Sequence, residues 1–182
     1  MKIVIGKLEL AQFTAADTED LYRIRNHESV RGFMSNPAPL EWESHVAWVR
    51  DNLLSGGRIL LLMVRLEGEA LGFTLLKRLA EDTAEIGVVV REAAKHRLIP
   101  SEAGAATMYL AFEVLGFRRL VSYVVPRHEH AVSFNRRAGG REVASDKPGM
   151  LRLNFTLTGY LRNSHCRKIV ARMRPKMQVI TQ

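Results

Sequence analysis

Ala84-Glu85-Ile86-Gly87-Val88-Val89-Val90, with Pro100-Ser101-Glu102 shortly after it, sets a strand directly ahead of a helix. The run up to Val90 is almost continuously apolar, the pattern of a central strand covered on both faces rather than of a half-wet edge. Pro100 suits the first turn of a helix, where its missing N–H costs nothing, and Met108, Phe112 and Leu115 then share a face until Gly116 stops it. Strand, loop and helix follow one another directly.

Upstream, residues 58–66 and 69–79 are apolar β-rich runs joined by Glu67-Gly68, the signature of a hairpin. Residues 41–54 place Trp42, Val46, Val49 and Leu53 at helical spacing, and Ser55-Gly56-Gly57 ends that helix. The prolines of Ser35-Asn36-Pro37-Ala38-Pro39 separate it from an earlier helix, capped by Asp17 or Thr18 and running to about Met34. Residues 2–10 read as one strand. Downstream, 119–125 is β-rich, 128–138 is a short helix stopped by Gly139-Gly140, and 141–145 and 150–158 form a closing pair around the turn Asp146-Lys147-Pro148-Gly149. The order β-α-α-β-β-β-α-β-α-β-β makes an α/β chain, a mixed sheet with helices on its faces.

Length allows one domain, and a composition of 47% hydrophobic and 25% charged residues supports a packed core. No apolar run approaches the roughly 20 residues that span a bilayer, and the first residues lack a signal-peptide pattern, so the expectation is a cytoplasmic protein. Cys166 has no partner for a disulfide and no metal-binding neighbours, so no chemical role is expected of it and no metal is expected. The net charge of +8 attracts polyanions without choosing among them. Part of it gathers at Arg162, Arg167, Lys168, Arg172, Arg174 and Lys176, and residues 161–182 read as a basic, solvated tail after a domain of residues 1–160.

Over about residues 5–158, most of the chain, the sequence resembles the GNAT acyltransferase superfamily. Asp20-Leu21-Tyr22-Arg23-Ile24-Arg25-Asn26, Val30-Arg31-Gly32-Phe33-Met34 and Glu41-Trp42-Glu43-Ser44-His45 look like the first two helices of the branch that acetylates amino groups of nucleotide-linked sugars. The resemblance implies a GNAT fold, with a splayed mixed sheet of about seven strands and about four helices. It implies acetyl-CoA as co-substrate and a small-molecule amine as acceptor, with a sugar nucleotide foremost. A homodimer is common among such proteins; nucleic acid is a less favoured partner that the charge still admits, and no membrane partner is expected.

Residue by residue, the resemblance assigns the backbone of Val88, Val89 and Val90 to the pantetheine arm, and Lys95, His96, Arg97, Leu98, Ile99, Pro100 and Ser101 to the pyrophosphate, at a helix N-terminus whose free N–H groups and dipole attract anions. The glycines usual in that loop are missing: Leu98 resists positive φ and Pro100 has no N–H. His128 stands where an Asn is usual, and Asn135 where many relatives keep a tyrosine that protonates the leaving thiolate. An amide does not serve as that acid. Glu85 is the carboxylate placed to act as a general base, and Arg25, Asn26, Met34, Trp42 and His45 are the acceptor-binding candidates. Trp42 and Trp48 also fit a core role. Two other readings stay open: an acetyltransferase for protein N-termini, as in the ribosomal-protein branch, and a basic binding module whose donor site has decayed.

Overall fold

The computed structural model describes residues 1–34, 36–91 and 98–181. Among these, nine strands form one mixed sheet in the order β7-β8-β6-β5-β4-β3-β2-β1-β9. The strands are β1 (Lys2–Ile5), β2 (Leu8–Gln12), β3 (Ile59–Leu66), β4 (Glu69–Ala80), β5 (Thr83–Val90), β6 (Arg119–Val124), β7 (Arg141–Val143), β8 (Leu151–Thr156) and β9 (Met177–Ile180). All neighbours are antiparallel except β5 and β6. The GNAT fold expected from the sequence is therefore present, with a larger sheet than anticipated.

Period-two alternation divides the core. Leu62 and Val64 face one side with Ala103, Ala106, Met108, Ile169 and Val170, whereas Leu61 and Met63 face the other with Leu21, Ile24, Val30 and Val49. Helices α4 (Ile99–Tyr109) and α7 (Ser164–Met173) thus cover one face. Helices α1 (Thr18–Asn26), α2 (Glu28–Arg31) and α3 (Trp42–Val49) cover the other. Two shorter pieces, α5 (Glu129–Arg137) and α6 (Leu157–Arg162), complete the first layer. Arg65 on β3 holds α1 in place through Asp17 and Asp20 at 2.7 and 2.8 Å.

Four expectations are corrected. Residues 2–10 are two strands, because Gly6, at φ +61°, reverses the chain and pairs Val4 with Glu9. The first helix breaks before Met34: His27 is extended, and its ring caps α2 by accepting from Ser29 N–H. The basic segment 161–182 is not a solvated tail. It supplies Cys166, Ile169, Val170 and Met173 to the core, while β9 pairs with β1. Arginines on the outer side of α7 hid an apolar stripe at helical spacing. Trp42 and Trp48 are each 40% exposed and belong to neither core cluster.

Candidate functional site

The parallel strands β5 and β6 pair only through Thr83–Arg119, Ala84–Leu120 and Glu85–Val121. Beyond that point β5 continues along β4 to Val90 and β6 continues along β8 to Val124, so the sheet parts. The carbonyl of Asp82 accepts from Arg118 and Arg119 N–H on the β6 side, at 2.8 and 3.0 Å, while Arg91 N–H donates to Leu71 O on the β4 side at 2.7 Å. Successive residues of a strand point their polar groups to opposite edges. Counting from both anchors, Gly87 and Val89 serve β4, and the N–H and C=O of Val88 and Val90 face the gap. Neither residue has a backbone partner there among the described residues. Their side chains pack on the first core, and that of Val89 on the second.

Helix α4 starts at the same end of the gap. Its N-cap is Leu98, at φ −85° and without a side-chain cap. Glu102 N–H takes Leu98 O at 2.8 Å, which leaves the N–H groups of Ile99 and Ser101 without helical partners. The missing glycines cause no strain here: Leu98 does not need positive φ, and Pro100 falls at a position where an N–H would be orphaned anyway. Ile99 is buried, and Leu98 and Pro100 are exposed. Lys95, His96 and Arg97 lie outside the described residues. Gly104 brings α4 close to its neighbours, since a Cβ there would sit 2.9 Å from the Phe134 ring and 3.8 Å from Val88.

At the apex, where β5 and β6 part, Glu85 sits on the face opposite α4. Both its carboxylate oxygens accept from Lys147 Nζ, at 3.0 and 3.1 Å. That ammonium also lies 3.7 Å from the centroid of the Tyr123 ring on β6. Tyr123 OH donates to Asp146 at 2.7 Å, and Arg152 donates to the same carboxylate at 3.2 Å. Burial, then the bond to Asp146, holds the Tyr123 phenol above its ordinary pKa and hence protonated; the same bond, first among its causes, lowers Asp146. Sequence reasoning missed Tyr123, Lys147 and Asp146 as site residues. The turn carrying Lys147 was legible, but no periodicity relates residue 147 to residue 85.

At the start of α5, His128 is the N-cap, its Nδ1 accepting from Ala131 N–H at 3.0 Å. It thereby does what a capping Asn would do, in the neutral form that burial favours by lowering its pKa. Its ring meets Phe33 edge-on at 3.9 Å, and Arg127 donates to Gly32 O, so the halves of the parted sheet are tied through the loop after α2. Asn135 donates to Ala131 O at 2.8 Å within its own helix.

The acceptor candidates are dispersed in role. Asn26 accepts from Leu40 N–H at 2.8 Å and donates to Leu40 O at 3.1 Å, closing the loop between α1 and α3. His45 is 3% exposed, bonded through Nε2 to Thr18 O at 3.0 Å, with its pKa lowered by burial. Trp42 packs edge-on against Tyr22 at 5.1 Å. Met34 packs on the second core. Arg25 has a buried Nε without a hydrogen-bond partner among the described residues, and burial lowers its pKa. Cys166 is fully buried, its thiol pushed up to about 11 by burial. Among the described residues no group of His, Cys, Asp and Glu is arranged to hold a metal ion, and no helix is long and apolar enough to cross a membrane.

Residues 7–141 match the model of the acetyltransferase (GNAT) domain, a span that contains the split, its apex and the start of α4. The chain belongs to the GNAT acetyltransferase family. As a GNAT acetyltransferase it takes acetyl-CoA as acetyl donor. Solved GNAT-fold structures resemble it over nearly their whole length. They include spermidine N-acetyltransferase from Vibrio cholerae in complex with CoA and spermine, at 12% identity and TM-score 0.73, covering 86% of this chain and 99% of that one. A GNAT-family acetyltransferase from Bacillus anthracis matches at 19% identity and TM-score 0.71, covering 87% and 99%. An acetyltransferase from Thermus thermophilus matches at 21% identity and TM-score 0.69, covering 84% and 99%. No curated protein sequence matches the chain significantly.

Proposed function

We propose that this GNAT acetyltransferase is an N-acetyltransferase that seats acetyl-CoA in the split between β5 and β6 and delivers its acetyl group to a primary amine at the apex. The observation that carries this reading is the pair of gap-facing backbone units at Val88 and Val90. An amide-bearing arm satisfies them as an added strand, pairing N–H and C=O groups that the sheet itself leaves open. The N–H groups of Ile99 and Ser101 at the positive end of α4 receive the phosphates. From Val90 back to Glu85 is about 17 Å of strand, comparable with an extended pantetheine arm, so the thioester arrives where Glu85 and Tyr123 converge.

Glu85 takes a proton from the acceptor ammonium, directly or through water, and the protonated Tyr123 phenol can return one to the departing thiolate. That assignment fills the place left by Asn135, whose amide is held by Ala131. The acceptor enters from the face carrying α1 and α3, beside Arg25 and Trp42. A net charge of +8 favours an anionic acceptor, so the amino group of a nucleotide-linked sugar fits better than a free polyamine such as the spermine bound by the Vibrio cholerae protein. A protein N-terminus is the second candidate.

The test is thermal unfolding with and without acetyl-CoA, followed by thiol release with amino-sugar nucleotides, peptides and spermidine. The donor should stabilise the protein, and release should be fastest with a sugar nucleotide. No stabilisation at millimolar donor would instead favour a binding module with a decayed donor site.

A further inference from the structure

Within the loop 144–150 every residue is exposed except Lys147 and Met150, which are half-buried, and the Lys147 ammonium reaches across to Glu85. Its backbone is fixed for this: Lys147 N–H donates to Ser145 Oγ at 3.2 Å, the Ser145 hydroxyl donates to Lys147 O at 3.0 Å, and Met150 N–H donates to that same carbonyl at 3.2 Å. The ammonium so delivered lies between a carboxylate, Glu85, and an aromatic face, Tyr123, the combination that recognises an organic cation. Asp146, itself held by Arg152, fixes the Tyr123 ring through its hydroxyl. A primary amine with these neighbours, at the point where the parted strands rejoin, occupies the position an acceptor amine must take.

We propose that Lys147 is an internal acceptor: with acetyl-CoA bound and no external amine present, the enzyme acetylates its own Lys147. This rests on the acetyl-transfer reading above. Glu85 removes a proton from the Lys147 ammonium and passes it to solvent. The freed Nζ lone pair attacks the thioester carbonyl carbon, the N–C bond forms and the C–S bond breaks. Coenzyme A leaves as thiolate and takes the second amine proton, giving an amide, a thiol and one released proton. The acetylated side chain has no charge to offer Glu85, so the modification frees that carboxylate for an external ammonium. Until then Lys147 competes with the acceptor.

The experiment incubates the full chain with acetyl-CoA alone and follows acetylation of each lysine by peptide mass mapping. Intramolecular delivery predicts that Lys147 is modified roughly tenfold or more faster than the exposed Lys77 and Lys168, at a rate independent of protein concentration. In E85Q the advantage should disappear. A second readout needs no turnover: in donor-free protein an amine-reactive succinimidyl ester should label Lys147 more slowly than Lys77, and E85Q should abolish that protection. Acetylation of Lys147 no faster than of Lys77, in protein that acetyl-CoA does stabilise against heat, overturns the inference alone. Absence of that stabilisation overturns the donor-site reading with it.

Discussion

Burial keeps His45 neutral in the fold, at a pKa below the ordinary 6.5, and its Nε2 meets the Thr18 carbonyl between α1 and α3. The unfolded chain takes up the proton near 6.5, so below that pH it binds more protons than the native state does. The contribution is fully present above pH 6.5 and is lost as pH falls through the lower, folded value. His128 and His165 are lowered too and act in the same direction. The melting temperature should therefore fall between about pH 7.5 and pH 5.5, and H45Q should start lower but slope less. An H45Q variant with the wild-type slope would mean that His45 does not carry this pH dependence. The same residue shows how a sequence can mislead: a His after Trp in a second helix resembles an acceptor-binding group, yet its ring nitrogen is engaged by the backbone.

Gly72 on β4 leaves no room for a side chain against β5. A Cβ there would lie 2.1 Å from Val89 O and 2.7 Å from Val90 Cα, both backbone atoms that cannot rotate away. Gly72 faces Val90 across β4–β5, just past the bulge at Val64/Arg65 on its other side. Gly72→Ala must push β5 toward the gap, at a cost on the order of 1–3 kcal/mol, and should weaken acetyl-CoA binding because Val88 and Val90 move with it. Denaturant unfolding and a donor titration measure both. Lost stability with unchanged donor affinity would mean that the free edge of β5 is not the donor's seat. At this scale the sequence was informative where a pattern is local. The apolar run at 84–90, the Glu67-Gly68 hairpin and the helix opening near Pro100 all stand. It was less so where one residue redirects the chain, as Gly6 does within residues 2–10 and His27 does after α1.

Across the whole molecule, the last segment explains how a sheet can part in its middle and still hold together. Helix α7 packs on α4 with Ile169, Val170 and Met173 in the core, and Tyr160 stacks on Phe112 while donating to Glu113. These contacts brace the helix whose start is the candidate phosphate site. Long-range placement is what a sequence hides: Glu85 was legible as the candidate base, but its meeting with Lys147, through a turn 62 residues away, was not. The fold as a whole was legible because each strand and helix carries its own period, whereas the apex cluster depends on where β6 and the 144–150 loop converge.

With acetyl-CoA seated in the split, the gap-facing amides of Val88 and Val90 pair with it, and without it they stay free. Residue-resolved hydrogen exchange of the native protein, with and without acetyl-CoA, tests this. These two amides should become strongly protected by the donor while Val89, already paired to β4, changes little. Protection that is unchanged at Val88 and Val90 in donor-saturated protein would contradict it.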